Sequence, residues 1–360
     1  LVTQKLRSLE MLRASAALLV VMSHMDTIFM TPNWEPFGGV FKAGNRGVDL
    51  FFVLSGFIIA YVHRADLGQP RRLRRYLFNR VTRIYPAVWI MTALAVGFYM
   101  VGFGGAGKAG KLDIMAIGAS FLLLPQQATP LVNVTWTLTY EVFFYAVFAV
   151  AILNLRVGLI LFLAWQAAIA IFALCGTELD LGGYYLRAIC LEFSLGVGCA
   201  WWLRRAPDPG CLSRYWAVLA AGIASFVAGL ALSGVFASSE VLCALGSVGM
   251  ILALVRLEQA DRIRPPAFLV RLGGASYGIY IVHYSVMTLL AAVAIRKLHL
   301  PRTDGLCLAC AAIGLGVGLA FDHILDRPIQ RGLRGWLKRQ TATRVPVQPA
   351  TALLSVEQEC

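Results

Sequence analysis

The sequence predicts an all-α, polytopic transmembrane bundle of about ten spanning helices, and three observations predict it. Of 360 residues, 59% are hydrophobic and only 14% charged, with a mean hydropathy of +0.71. Soluble domains hold about 45–50% apolar and about 25% charged residues. The apolar residues run on for about 20 at a time, the length an α-helix needs to cross a bilayer. An outer-membrane barrel would instead show alternating segments of about ten residues. Lys and Arg number 32 against 19 Asp and Glu, a net charge of +13, and most of these cations fall between the apolar runs. Such hydrophobicity rules out intrinsic disorder, and the long apolar runs argue against a nucleic-acid partner.

Ten segments read as spans: 9–29, 47–63, 84–102, 135–153, 157–174, 185–203, 215–233, 238–255, 275–294 and 305–324. A further apolar stretch, 113–124, is too short to cross and reads as a re-entrant or interfacial helix. One transmembrane domain is expected over 1–335, followed by a polar, disordered cytoplasmic tail over 336–360. There is no internal repeat. Leu9 to Met30 is a full span without a small-residue cleavage site, so no signal peptide is expected.

The cations set the expected orientation. With ten spans and the N-terminus inside, 23 Lys and Arg fall on the cytoplasmic side and 7 outside, while Arg13 and Arg187 lie within spans. That bias places both termini in the cytoplasm. Most of the eight cysteines lie in apolar spans, where the thiol acts as a small hydrophobe. The Cys307–Cys310 pair lacks partners at ligand spacing, so no metal or redox role is expected.

Polar groups inside a bilayer cost several kcal/mol each, roughly, and are candidates for function. Arg13 and His24 share the first span. Eleven residues turn a helix by about 1100°, close to a whole number of turns, so both project from one face about 16 Å apart. A cation near the cytoplasmic end and a near-neutral base further out suit a long substrate with an anionic head. The second span opens on Gly47-Val-Asp-Leu-Phe-Phe-Val-Leu-Ser-Gly-Phe57. Its Asp49 could orient His24 or cap the helix, and Ser55 and Gly56 could allow close packing. A cytoplasmic loop at 71–86 carries six arginines in thirteen positions. Arg80 and Arg83 stand on one helix face as guanidinium forks for phosphate; the other four suit anionic headgroups.

Trp136-Thr-Leu-Thr-Tyr-Glu141-Val-Phe-Phe-Tyr145 puts Glu141 near the depth of His24, with Tyr145 one turn deeper. Glu141 needs a partner, and His24, Arg187 or a substrate hydroxyl would serve. Trp136 is either an interfacial belt residue or a platform for a sugar ring. In Ser276-Tyr277-Gly-Ile-Tyr280-Ile-Val-His283, the residues Tyr277, Tyr280 and Tyr284 form a polar stripe with His283 alongside. Stripes of this kind line a cavity or knit helices together. Asp326-Arg327-Pro328 follows the last span, where Pro328 would end the helix and Asp326 would enter an ion pair.

These motifs, in this order over roughly residues 8 to 330, resemble the membrane-bound acyltransferase-3 family. The Trp136-Thr-Leu-Thr-Tyr-Glu141 form resembles its exopolysaccharide-production subgroup. The resemblance implies transfer of an acyl group, usually acetyl, from cytoplasmic acetyl-CoA to a sugar hydroxyl of an exported glycan. It maps the family's essential Arg and His onto Arg13 and His24, and its paired arginines onto Arg80 and Arg83. The family often has Glu before the Pro of its last motif, where this chain carries the shorter Asp326. The extracytoplasmic esterase domain of fused relatives is expected to be absent.

The resulting expectation is an O-acetyltransferase of the bacterial cytoplasmic (inner) membrane, with acetyl-CoA as co-substrate and no metal. Its expected catalytic residues are His24, Arg13, Glu141 and Asp49, with Arg80, Arg83 and Arg13 on the donor. Trp136, Tyr145, Tyr277, Tyr280 and His283 are expected on the acceptor, a sugar or polysaccharide that is free or lipid-linked. Polysaccharide-synthesis machinery is the expected protein partner. A glycan or lipid transporter is the rival reading, and a structural assembly subunit a third.

Overall fold

The computed structural model of the chain describes residues 6–101, 111–175, 181–205, 212–236 and 239–342. The helices are α1 (Arg7–Phe29), α2 (Gly47–His63), α3 (Pro70–Met100), α4 (Ile114–Leu122), α5 (Trp136–Leu153), α6 (Leu155–Cys175) and α7 (Leu191–Arg205). They continue as α8 (Ser213–Ala231), α9 (Ser239–Gln259), α10 (Ala267–Gly274), α11 (Ser276–Ala291), α12 (Asp304–Phe321) and α13 (Arg327–Ala342). No named strand occurs among the described residues. The fold is an all-α polytopic bundle.

Among the described residues, nine of the expected spans are helices long and apolar enough to cross a membrane. The remaining one, 185–203, is shorter than expected. Its helix α7 has 15 residues and covers about 22 Å, less than the hydrocarbon core. Residues 185–186 and 188–190 belong to two 3-10 turns ahead of it, and Arg187 stands between them, preceding the helix rather than lying within a span. The segment 113–124 forms the short α4. Asp113 caps it by accepting from the Ala116 amide at 3.3 Å, and left-handed Leu123 ends it. Tyr85 and Trp89 of α3 donate to the Leu122 and Phe121 carbonyls at 3.2 and 3.1 Å, which holds α4 against α3.

Two other expectations change. The arginine-rich stretch 71–86 is not a loop but the first half of the 31-residue α3, begun by Pro70. Proline fits a first helical turn, where its missing N–H has no partner to lose, and arginine is a good helix former. Pro328 does not end a helix either. A wide turn over Asp322–Asp326 joins α12 to α13, and Pro328 sits in the first turn of the latter. Consequently α13 runs to Ala342, past the domain boundary expected at 335; the rest of the expected tail, 343–360, lies outside the described residues.

Helix ends gather at one basic end of the bundle. Glu258 at the end of α9 accepts from the Arg7 and Ser8 amides, each at 2.8 Å. Arg204 donates to the Tyr61 carbonyl, and Arg256 to the Leu203 carbonyl at 2.7 Å. The start of α1 and the ends of α2, α7 and α9 therefore share a level. One close approach joins α2 to α7. A Cβ on Gly56 would meet the Phe193 carbonyl oxygen at 2.2 Å, and one on Gly196 the Val53 carbonyl oxygen at 2.1 Å. In lipid such small-residue contacts hold helices by van der Waals packing of backbone on backbone.

Gly196→Val should therefore cost about 2–3 kcal/mol and lower the melting temperature of the detergent-solubilised protein. Gly198 has open space beside it, and Gly198→Ala should leave the melting temperature unchanged or raise it.

Candidate active site

Two hollows that share Arg13, Arg80 and Arg83 lie among α1, α2, α3, α5, α7, α10, α11 and α13. The outer one, a mouth of about 550 Å³ at the basic end, is lined by Arg13, Arg80, Arg83, Arg271, Arg327 and Arg334 against the single acid Glu10. The inner one holds about 150 Å³ and is lined by Arg13, Arg80 and Arg83 again, with Ser55, Thr137, Glu141, Tyr145, Ser276, Tyr277 and Tyr280. Arg13, Arg80 and Arg83 thus stand at the junction of a polar mouth and a narrow, largely apolar interior. The expected donor-side trio is brought together.

Geometry fixes these arginines. Arg80 lies over the rings of Tyr76 and Tyr145, at 6.0 and 5.6 Å, and Arg83 over Tyr277 at 4.8 Å. Aromatic faces attract cations, most strongly away from water. Arg83 also pairs with Asp326 at 3.6 Å, and Arg13 with Glu10 at 3.5 Å. Asp326, whose side chain also accepts from Gln330 at 2.8 Å, holds Arg83 in place. The Nε of Arg80 and the Oγ of Ser276 are buried without a hydrogen-bond partner. Buried polar groups are normally satisfied, so these two are suited to a ligand.

Glu141 faces the inner hollow and accepts from Ser55 Oγ at 2.9 Å and from the Tyr145 hydroxyl. Thr137, Glu141 and Tyr145 are four residues apart and share one face of α5. Neither His24 nor Arg187 bonds Glu141; Arg187 instead lies over the Tyr184 ring at 5.4 Å. Tyr277 donates to the Ile84 carbonyl at 2.6 Å. The Tyr280 hydroxyl meets Thr137 Oγ1 at 2.7 Å and the Val134 carbonyl at 3.1 Å. The polar stripe of α11 both lines the hollow and ties α11 to α3 and α5.

His24 lies outside the hollow. Its Nδ1 is 2.8 Å from Nε2 of His283, and the Tyr284 ring stands edge-on to it at 4.9 Å. Tyr280 connects the two regions, lining the hollow with its ring 6.1 Å from that of His283. The expectation that Asp49 or Glu141 orients His24 is corrected. Asp49, in the first turn of α2, pairs with Arg46 at 3.7 Å, and Arg46 binds Glu240 of α9 at 2.7 Å. A buried carboxylate takes the nearest cation, and for Asp49 that cation is on its own helix entrance. Trp136 is not on the hollow: it packs edge-on against Tyr140 at 6.0 Å, and its carbonyl accepts from Tyr184 at 3.2 Å.

Sequence reasoning missed Thr137, Ser276, Arg271, Arg327 and Arg334 as lining residues. Thr137 carried a signal, since it stands four residues before Glu141. Arg271 and Arg334 carried none, because only the packing of α10 and α13 brings them to the mouth.

Comparison with known proteins agrees with this architecture. The acyltransferase-3 profile, described as an acyltransferase domain, matches residues 6–323. The exopolysaccharide production protein ExoZ of Rhizobium meliloti (strain 1021) is 30% identical over 328 residues, covering 86% of this chain and 96% of that one. The peptidoglycan O-acetyltransferase OatA of Listeria monocytogenes is 24% identical over 360 residues, covering 90% of this chain and 56% of that protein. The membrane-bound transacylase BcsY of Komagataeibacter xylinus, whose assignment is provisional, is 27% identical over 308 residues, 77% of this chain and 72% of its own. No solved structure matches the chain. The chain belongs to the acyltransferase-3 family. It is a multi-pass membrane acyltransferase, which sets aside the transporter and assembly-subunit readings as its primary activity.

Glu141 stands among three arginines on the inner hollow. Glu141→Leu, which removes the acceptor of Ser55 and Tyr145, should cost about 1–3 kcal/mol of stability, read as a lowered melting temperature in detergent. Glu141→Gln keeps an acceptor for Ser55 and Tyr145 and should cost less.

Proposed function

We propose that this protein moves an acetyl group from acetyl-CoA to a sugar hydroxyl of an exported polysaccharide, in the bacterial cytoplasmic membrane. One observation carries the reading: a mouth lined by six arginines and one acid narrows into a hollow closed by Tyr280, beside the paired rings of His24 and the buried His283. A nucleotide phosphate head with a slender thioester arm has that same distribution of charge and width.

Arg80, Arg83 and Arg13 bind the phosphates of the co-substrate, with Arg271, Arg327 and Arg334 completing the mouth. The basic end is the cytoplasmic face in this reading, which the bias of Lys and Arg supports and which puts both termini inside. Ser55, Glu141 and Tyr145 line the route of the arm. Tyr280, tied to Thr137 and Val134, separates the hollow from His24, so its side chain must move for the thioester to pass.

His24 supplies the imidazole nitrogen. It accepts the proton of the sugar hydroxyl as that oxygen attacks the thioester carbonyl carbon. The C–S bond breaks, the ester forms, and the CoA thiolate recovers the proton from His24. The same lone pair would serve a two-step route through an acetyl-imidazole. The exopolysaccharide and peptidoglycan roles in the names of the relatives support a polysaccharide acceptor. Trp136 keeps the proposed role of a platform at the start of α5, and Asp49 that of fixing α2. Lipid-linked repeat units and the machinery that assembles them are the proposed partners.

His24→Ala should abolish acetylation of the glycan while the variant still folds, with retained acetylation counting against the reading. Losing one charge-assisted contact costs about 1.5–3 kcal/mol, or roughly 10- to 100-fold. Arg80→Ala should accordingly raise KM for acetyl-CoA by about that factor, with a smaller change in kcat.

A further inference from the structure

His283 is completely buried, lies 259 positions from His24 in sequence and bonds it directly. Its other nitrogen, Nδ1, is 2.9 Å from the Ile279 carbonyl oxygen, one turn back on α11. A carbonyl only accepts, so Nδ1 of His283 carries a hydrogen. Among the described residues His283 bonds this carbonyl and His24, and no carboxylate bonds it. An imidazolium buried there would be strongly penalised, so the ring is neutral and its Nε2 is a bare acceptor. The hydrogen in the contact between the two rings therefore belongs to Nδ1 of His24, and the lone pair of His24 resides on Nε2.

We propose that His283 is a positioning residue that fixes His24 in the Nδ1–H tautomer and so delivers Nε2 as the reactive nitrogen. The inference rests on the reading of His24 as the reactive base. It revises the expected place of His283 among acceptor-binding residues. Neutral histidine free in water favours the opposite tautomer, with hydrogen on Nε2, which would leave the lone pair pointing into α11. The chain runs from the Ile279 carbonyl through His283 to His24, each donor meeting one acceptor. It does with a carbonyl and a neutral ring what a carboxylate does for the histidine of a serine protease triad, where the wrong tautomer costs about 10⁴ in rate. Here no charge need be buried, which suits a site inside a membrane. The edge of Tyr284 holds the His24 ring from the side.

The direct test is the ¹⁵N spectrum of histidine-labelled protein in detergent micelles. The chain has five histidines, and the resonances of His24 are identified by their loss in His24→Gln. In the native protein His24 should show a protonated Nδ1 and a bare Nε2; a protonated Nε2 would overturn the inference whatever the variants do. His283→Leu should shift His24 toward Nε2–H and lower kcat by about 100-fold or more, with KM for acetyl-CoA little changed. In His283→Gln the side-chain carbonyl can accept from Nδ1–H, which should restore both the tautomer and most of the rate. Unchanged kcat in a folded His283→Leu, or no difference between the Leu and Gln variants, would contradict the assignment. Activity surviving in His24→Ala would instead sink the proposed function, with the tautomer result standing on its own.

Discussion

A charge inside a bilayer must be compensated where it stands, and this bundle is arranged around that constraint. The water that would solvate Arg13, Arg80, Arg83 and Glu141 is replaced by aromatic faces, hydroxyls and one another. Several of the helices around the hollow are tied there by polar contacts. Asp326 anchors the turn before α13 on Arg83, Tyr277 anchors α11 on α3, and Ser55 anchors α2 on α5 through Glu141. Polar contacts of this kind replace the hydrophobic force that drives helix association in water but is missing between helices in lipid.

The same constraint explains the division between the two ends of the site. Charge is concentrated at the basic mouth, where water can share the cost. Deeper in, Thr137, Tyr280, His283 and His24 are neutral hydrogen-bonding groups whose partners are each other or backbone carbonyls. In the proposed reading, a cationic grip at one end and an uncharged base further along give a thioester a graded path from solvent to a dry reaction point. A dry point also protects the activated acyl group from hydrolysis.

Much of this was legible in the sequence. The spanning helices show as continuous apolar runs, because lipid leaves a helix no other way to satisfy its backbone. Arg13 and Glu141 were legible because charges are rare enough in such runs to be conspicuous, and Arg80 and Arg83 because their spacing puts both on one helix face. Three things were not. The shortness of α7 is hidden because residues 185–190, apolar but for Arg187, continue the apolar run of the helix yet lie in the 3-10 segment ahead of it. The helical state of the arginine stretch is hidden because a run of cations resembles a cytoplasmic loop, although its propensity is helical. The pairing of His24 with His283 is hidden because its partners lie 259 residues apart. Asp49 and Glu141 were the nearer guesses, and each is satisfied elsewhere.

The central claim is that an acetyl group enters from the basic mouth and is delivered on the far side. Sealed vesicles of defined sidedness, carrying the protein and a polysaccharide acceptor in the lumen, test it with acetyl-labelled CoA added outside. The account predicts label in the luminal polysaccharide when the mouth lined by Arg80 and Arg83 faces outward, and none when the orientation is reversed. Equal labelling in both orientations, or label that never leaves CoA, would contradict it.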